Sequence, residues 1–255
     1  MKTMIDIPDF VARFYDVVYA RIRDGVDNDY YLRKIAASPG PVLEIGVGTG
    51  RIFREALRRG ADIDGVDVSS SMVEKLWSAL AAEQRARVFL DDAVTMRLVR
   101  RYDLILAPFR MLSHVIETKD QIRLLDNVHD HLVPGGTFIF DLFVPSLKLL
   151  LEGIKDQTDF DGEHAPGRRL RRIVSARPDL IRQVTDVTMS YIWDDDGGEV
   201  RAEWDFPMRF FFRFEIEHLA ARSKLALERI RGDFSEGALT KDSQEFVVTC
   251  RRPSA

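Results

Sequence analysis

Cysteine is nearly absent. Cys250 is the only one in 255 residues, which excludes an intrachain disulfide and fits a reducing compartment such as the cytoplasm. Its place in "EFVVTC" reads as an inert packing position on a late strand. Long apolar runs are missing too. Stretches such as 104–107 and 138–140 fall far short of the roughly 20 residues that cross a bilayer, and "MKTMIDIPDF" lacks the continuous apolar segment of a secretory signal. Nor is there a basic excess: 37 Lys and Arg stand against 41 Asp and Glu, for a formal net charge of -4. A chain that grips nucleic-acid phosphates is disfavoured, and a cationic ligand suits the balance better. The 5 histidines and the cysteine show no metal-ligand spacing, and no internal repeat is apparent.

What is present is alternation. Residues 9–22 place apolar side chains at helical spacing, and 29–37 reads as a second helix stopped by "SPG". Buried strands are expected at 41–45, 62–67, 87–90, 102–109 and 137–143. Helices are expected at 51–59, at 72–82 with Ser69 as N-cap, and at 119–132. Strands alternating with helices predict a doubly wound, mainly parallel sheet. After about residue 165 the pattern turns to long β segments, 168–177, 181–193 and 199–214, read as an antiparallel platform. A short helix at 215–222 and strands at 225–231 and 245–251 follow.

"VLEIGVGTG" at 42–50 closes the first strand with glycines at 46, 48 and 50. A dinucleotide fingerprint needs its last glycine one residue further on, and a Walker loop needs Gly-Lys-Ser/Thr, so both phosphate readings weaken. Glu44 would repel a pyrophosphate but can accept hydrogen bonds from an ammonium. Asp67, ending "DIDGVD", lies where an open α/β sheet offers a carboxylate to ribose hydroxyls. An ammonium at one end and a ribose further along fit both carboxylates.

"VLEIGVGTGR", "GVDVSSSMV", "LDDAVTM", "YDLILAPF" and "LVPGGTFIFD" together resemble the successive motifs of class I S-adenosylmethionine-dependent methyltransferases, in that family's order across 41–141. The resemblance implies a Rossmann-like doubly wound sheet of seven strands with the last antiparallel. It implies a division into an N-terminal helical lid (1–40), a cofactor-binding core (41–145), and a β-rich remainder (146–255) holding the platform (about 165–214) and the final strands. It also implies S-adenosyl-L-methionine as cofactor and S-adenosylhomocysteine as product. By the same resemblance Glu44, Gly46, Val47, Gly48 and Gly50 would form the loop around the methionine moiety. Val47 replaces the usual cysteine or alanine, harmlessly where the backbone binds. Asp67 would take the ribose, Val68 and Met72 would flank the adenine, and Asp92 and Ala93 would meet its edge. Ala107 and Phe109 would face the sulfonium.

On the acceptor side, His114 in "FRMLSHV" is the candidate base, weighed against a histidine satisfied by backbone. A similar F-x-S-x-x-H arrangement in small-molecule N-methyltransferases of amino sugars and glycine-like amines favours function. Arg110 stands where a small polar residue is usual and could bind an acceptor carboxylate or phosphate. "FYDVVYARI" resembles that group's lid, making Tyr15 a substrate-side and Tyr19 a cofactor-side candidate, against plain helix packing. Tyr30 and Tyr31 read as packing residues. "DDD" at 194–196 reads as a hairpin turn and "RRLRR" at 168–172 as a solvated strand face. "FPMRFFFRF" at 206–214 reads as platform packing or a dimer face, with an acceptor pocket as the alternative. "APFR" lacks the Asn/Asp-Pro-Pro-aromatic signature of base or glutamine methylation, and "ARSKLAL" departs from the family's Ala-Gly-Phe before strand six. The expectation is a cytoplasmic enzyme transferring methyl from S-adenosylmethionine to a small molecule, an amine before a hydroxyl. It would use no metal, nucleic acid or membrane and could dimerise through the platform. A non-catalytic cofactor-binding module and an NAD-dependent dehydrogenase are the alternatives.

Overall fold

The structure is a computed structural model that describes residues 6–22 and 25–254. The apolar stripe of the first helix, α1 (Asp9–Ile22), buries Val11, Phe14 and Val18, and α2 (Val26–Ala36) follows. Next come β1 (Val42–Ile45), α3 (Phe53–Arg58), β2 (Ile63–Asp67), α4 (Ser70–Ser78), α5 (Ala82–Arg85), β3 (Val88–Leu90) and β4 (Tyr102–Ala107). The Ser69 hydroxyl accepts the Met72 amide and starts α4, as its residue type suggests. A 3-10 turn (Met111–His114) leads to α6 (Thr118–His131), β5 (Leu132–Phe143) and α7 (Leu147–Glu152). Four long strands then run consecutively: β6 (Ile154–Ala165), β7 (Arg168–Asp179), β8 (Val184–Asp195) and β9 (Gly198–Arg209). The chain ends with α8 (Arg213–Ala221), β10 (Ala226–Arg231) and β11 (Glu245–Arg251).

The main sheet has seven strands in the order β10-β11-β5-β4-β1-β2-β3. β11 runs antiparallel to both of its neighbours, and β1 to β5 are parallel. β1 and β2 are buried at every position, including the acids Glu44, Asp64 and Asp67. The strand order reverses between β1 and β4, so the loops leaving their C-terminal ends part there and open a crevice. Cys250 is fully buried, and burial pushes its thiol up to about 12.

The second sheet is the antiparallel meander β6-β7-β8-β9. It has four strands rather than the expected three. β6 escaped notice because it is an edge strand with a single buried residue, Phe160, among acidic and polar neighbours. The strand expected over 199–214 stops at Arg209; Phe210 and Phe211 are buried beyond the sheet, and α8 starts at Arg213. β5 begins at Leu132, five residues before the expected start. "DDD" does form a tight hairpin turn, with Asp195 opposite Gly198. Among the described residues no helix is long and apolar enough to cross a membrane.

Candidate active site

The loop after β1 is held down by backbone. Gly46 and Val47 both donate to the Val66 carbonyl, at 2.8 and 3.1 Å. Gly46, Gly48 and Gly50 all have positive φ, +73°, +56° and +83°. They are glycine for different reasons. A Cβ on Gly46 would come within 2.9 Å of Met111 Cγ, and one on Gly50 would collide with Leu76 Cδ1. On Gly48 the nearest atom would be the Gly46 carbonyl oxygen at 3.9 Å, so this glycine faces open space. Two of the three therefore serve the protein's own packing, and one presents bare backbone.

Asp67 fastens this loop to the start of α4, accepting the Gly48 amide at 2.8 Å and the Ser69 amide at 2.9 Å. Burial pushes its carboxyl up, opposed by the Ser69, Gly48 and Val68 amides, and three donors leave one of its four acceptor positions over. Glu44 is more exposed to penalty. It is buried at the end of β1 with Oε2 lacking any hydrogen-bond partner. Burial drives its carboxyl up to about 8, partly offset by Arg51. A buried carboxylate oxygen without a donor is what a ligand ammonium would satisfy.

After β4 the backbone does something costly. Phe109 and Arg110 are consecutive non-glycine residues at positive φ, 61° and 62°, roughly 1–2 kcal/mol each for an L-residue. Asp141 on β5 holds this turn. Its Oδ1 accepts the Phe109 amide (2.8 Å) and the Tyr31 hydroxyl (2.6 Å), and its Oδ2 accepts the Arg110 amide (3.1 Å). Tyr31 packs as expected but also ties α2 to this carboxylate. Arg110 does not line the crevice: its guanidinium pairs with Glu245 at 2.6 Å and lies over Phe143.

The crevice between the β1 and β4 loops collects Gly46, Gly48, Asp67, Val68, Met72, Phe109, Tyr15 and His114. Ile7, Pro108, Met111 and Trp204 complete it and were not anticipated. Tyr19 stands beside it, its ring 4.4 Å from Tyr15 and 5.1 Å from Phe109. Val47 and Ala107 are buried in the core. Asp92 lies past β3, where its Oδ1 accepts the Val94 amide, and Ala93 is buried beside it. Two guanidiniums flank the aromatic group, Arg51 over Phe109 and Arg172 over Tyr19. Arg172 corrects the solvated-face reading of "RRLRR": it is 1% exposed, bidentate to Asp159 at 2.9 and 2.6 Å, and within 3.3 Å of the Tyr191 hydroxyl.

His114 ends the 3-10 turn with its ring 5.8 Å from Phe206. Its Nδ1 is buried without a partner, and burial alone pushes the imidazole down to about 4, so the ring is neutral near pH 7.

Comparison with known proteins agrees with this geometry. Residues 42–136 match the family model described as "Methyltransferase domain". The putative methyltransferase YqeM of Bacillus subtilis (strain 168) is 21% identical over 242 residues, covering 92% of this chain and 94% of that protein. An S-adenosylmethionine-dependent methyltransferase from Clostridium acetobutylicum superposes with a TM-score of 0.77 at 18% identity, over 96% of this chain and 98% of that one. The sugar N-methyltransferase KedS8 from Streptoalloteichus does so with a TM-score of 0.74 at 18% identity, over 94% and 93%. At such identities the structural likeness is one of fold, and the matched domain contains the glycine loop, Glu44, Asp67 and the β4 turn. Residues 42–136 are a methyltransferase domain, and the chain as a whole has the fold of S-adenosylmethionine-dependent methyltransferases.

Proposed function

We propose that this enzyme methylates the nitrogen of a small-molecule amine, with His114 aiming the acceptor. The observation that carries the amine over a hydroxyl is the state of His114. A hydroxyl must give up its proton to a base as it attacks. An imidazole pushed down to about 4 by burial, with no partner on Nδ1, is a weak base for that task. A neutral amine attacks with its own lone pair and needs only orientation, which an unpartnered Nδ1 can supply by accepting an N–H. The fold likeness to a sugar N-methyltransferase supports the same reading.

When bound, S-adenosylmethionine supplies a methyl group on a sulfonium that needs no further activation. Glu44 would receive its ammonium, which suits a buried oxygen without a donor. Arg51, whose charge reaches Glu44, is the cation at the same end. Gly46 and Gly48 would offer backbone, Asp67 its remaining lone pair to the ribose, and Val68 and Met72 apolar contact to the adenine. Asp92 and Ala93 would meet the far edge. Phe109, Tyr15 and Tyr19 would exclude water from the sulfonium side, with α1 acting as the lid. Arg110, turned to Glu245, leaves the acceptor side unobstructed, which speaks against a module without turnover.

A screen of small amines and hydroxylated metabolites for S-adenosylhomocysteine formation tests this reading. Amines should turn over. Turnover restricted to hydroxyl compounds would overturn the amine assignment.

A further inference from the structure

The floor of the acceptor side is the inner face of the platform, and its chemistry is set by strand register. Four cross-strand rows line it: Leu170–Trp193–Val200, Arg172–Tyr191–Ala202, Val174–Met189–Trp204 and Ala176–Val187–Phe206. The first two rows lie under α1, with Leu170, Arg172 and Tyr191 almost wholly buried. The third row behaves differently. Val174, Met189 and Trp204 are each only half-buried, although they sit on the same apolar face. Trp204 also lines the cofactor crevice. It stacks on Phe206 with ring centroids 3.9 Å apart and planes 25° from parallel, and Phe206 touches the His114 ring. Aromatic surface therefore runs without a break from His114 onto a half-covered apolar row.

Charge is as informative as shape. The one charged residue on these four rows is Arg172, and Asp159 neutralises it from the neighbouring strand. A polar or ionic acceptor body laid on the β7–β9 part of this floor would lose its water with no polar side chain on the third row nearer than Gln157, opposite Val174 on β6. A flat apolar body would gain both area and stacking.

We infer that the methyl acceptor carries an uncharged aromatic ring that lies on the Val174–Met189–Trp204 row, with its nucleophilic nitrogen at His114. This rests on the amine reading above and adds the chemical class of the body attached to the amine.

The test is calorimetric titration of the S-adenosylhomocysteine-saturated enzyme with benzylamine, 2-phenylethylamine and tryptamine, against ethanolamine. All four are primary amines of similar basicity and present the same neutral nitrogen to His114 on losing a proton to solvent, so differences report the ring. At least one arylalkylamine should bind about ten-fold or more tighter than ethanolamine. Trp204→Ala should bring the two within about two-fold, and Trp204→Phe should keep most of the preference. Met189→Glu, which places a charge on the row, should abolish it if the variant retains a cooperative melt. Equal binding of aryl and plain amines by the wild type would overturn the inference. So would a preference that survives both Trp204→Ala and Met189→Glu. Loss of a dimer in Trp204→Ala with no change in ring preference would also overturn it and assign the row to a second copy of the chain. Ring-dependent binding without methyl transfer to any amine would leave the inference standing and refute the amine reading instead.

Discussion

Asp141 Oδ1 takes the amide of Phe109 at 2.8 Å, and through that bond a residue on β5 sets the shape of the turn that follows β4. The same carboxylate binds Arg110 and Tyr31, so three donors converge on one side chain with no solvent exposure. Asp141→Asn would turn an NH2 toward donors and leave one of them unpaired. Stability should fall by about 2 kcal/mol, and S-adenosylhomocysteine should bind more weakly as Phe109 leaves its position. Denaturant unfolding and calorimetry on the same variant check both. Wild-type values in each would mean that the turn holds without its anchor.

Glu44 predicts a proton inventory. Burial holds its folded-state pKa near 8 against 4.5 for the free side chain. Its contribution to stability is therefore full below about pH 4.5 and is lost as pH rises through 8. An ammonium placed against it favours the ionised form, so cofactor binding near pH 7 should release a proton, and binding near pH 9.5 should release almost none. Titrations of S-adenosylhomocysteine in buffers of different ionisation enthalpy measure this, and Glu44→Gln should remove it. A binding enthalpy independent of buffer at pH 7 would dissociate Glu44 from the ammonium.

For His114 the sign is opposite. Its folded pKa lies near 4, below the ordinary 6.5, so the neutral ring loses stabilising value as pH falls from about 6.5 toward 4. Turnover should show no histidine titration between pH 6 and 8. His114→Ala should lower kcat about 10- to 100-fold with little change in cofactor affinity, and His114→Gln, which keeps an acceptor, should recover part of the loss. A kcat inflection near pH 6.5 in the wild type would restore a general-base role.

The glycines of the first loop should separate by phenotype. Gly50→Ala collides with Leu76 and should cost about 1–3 kcal/mol of stability, as overpacking does. Gly48→Ala meets no protein atom closely, so it should cost only about 1–2 kcal/mol for its backbone conformation. It should nevertheless impair S-adenosylhomocysteine binding more strongly than Gly50→Ala does. The reverse order of cofactor affinities would mean that Gly48 does not face the ligand.

The parallel core was legible because its strands are buried on both faces and its helices show one apolar stripe. Such patterns survive without knowledge of neighbours. β6 was not legible because an edge strand with one buried residue leaves no periodic trace. Arg172 looked solvated because the ion pair that permits its burial comes from a strand the sequence did not reveal. At the crevice, Gly46, Gly48, Asp67 and Met72 could be named from local motif alone. Trp204 could not, since its place beside His114 depends on how two separate sheets meet. Asp141 did leave a signal, a lone acid inside "TFIFDLF", but its three donors come from α2 and the β4 turn.

The meander β6–β9 enters the chain after β5 and leaves it before β10, yet contributes no strand to the seven-stranded sheet. Its side chains can therefore be exchanged without breaking the backbone ladder of the main sheet, in which β5 pairs with β11 residue for residue from Thr137 to Phe143. What would be lost are side-chain contacts such as Gln183 to Glu215 and Arg13 to Asp195. The molecule is in this respect a fixed tool mount with a replaceable workpiece holder. Exchange of side chains within residues 154–209 should thus leave the seven-stranded ladder standing.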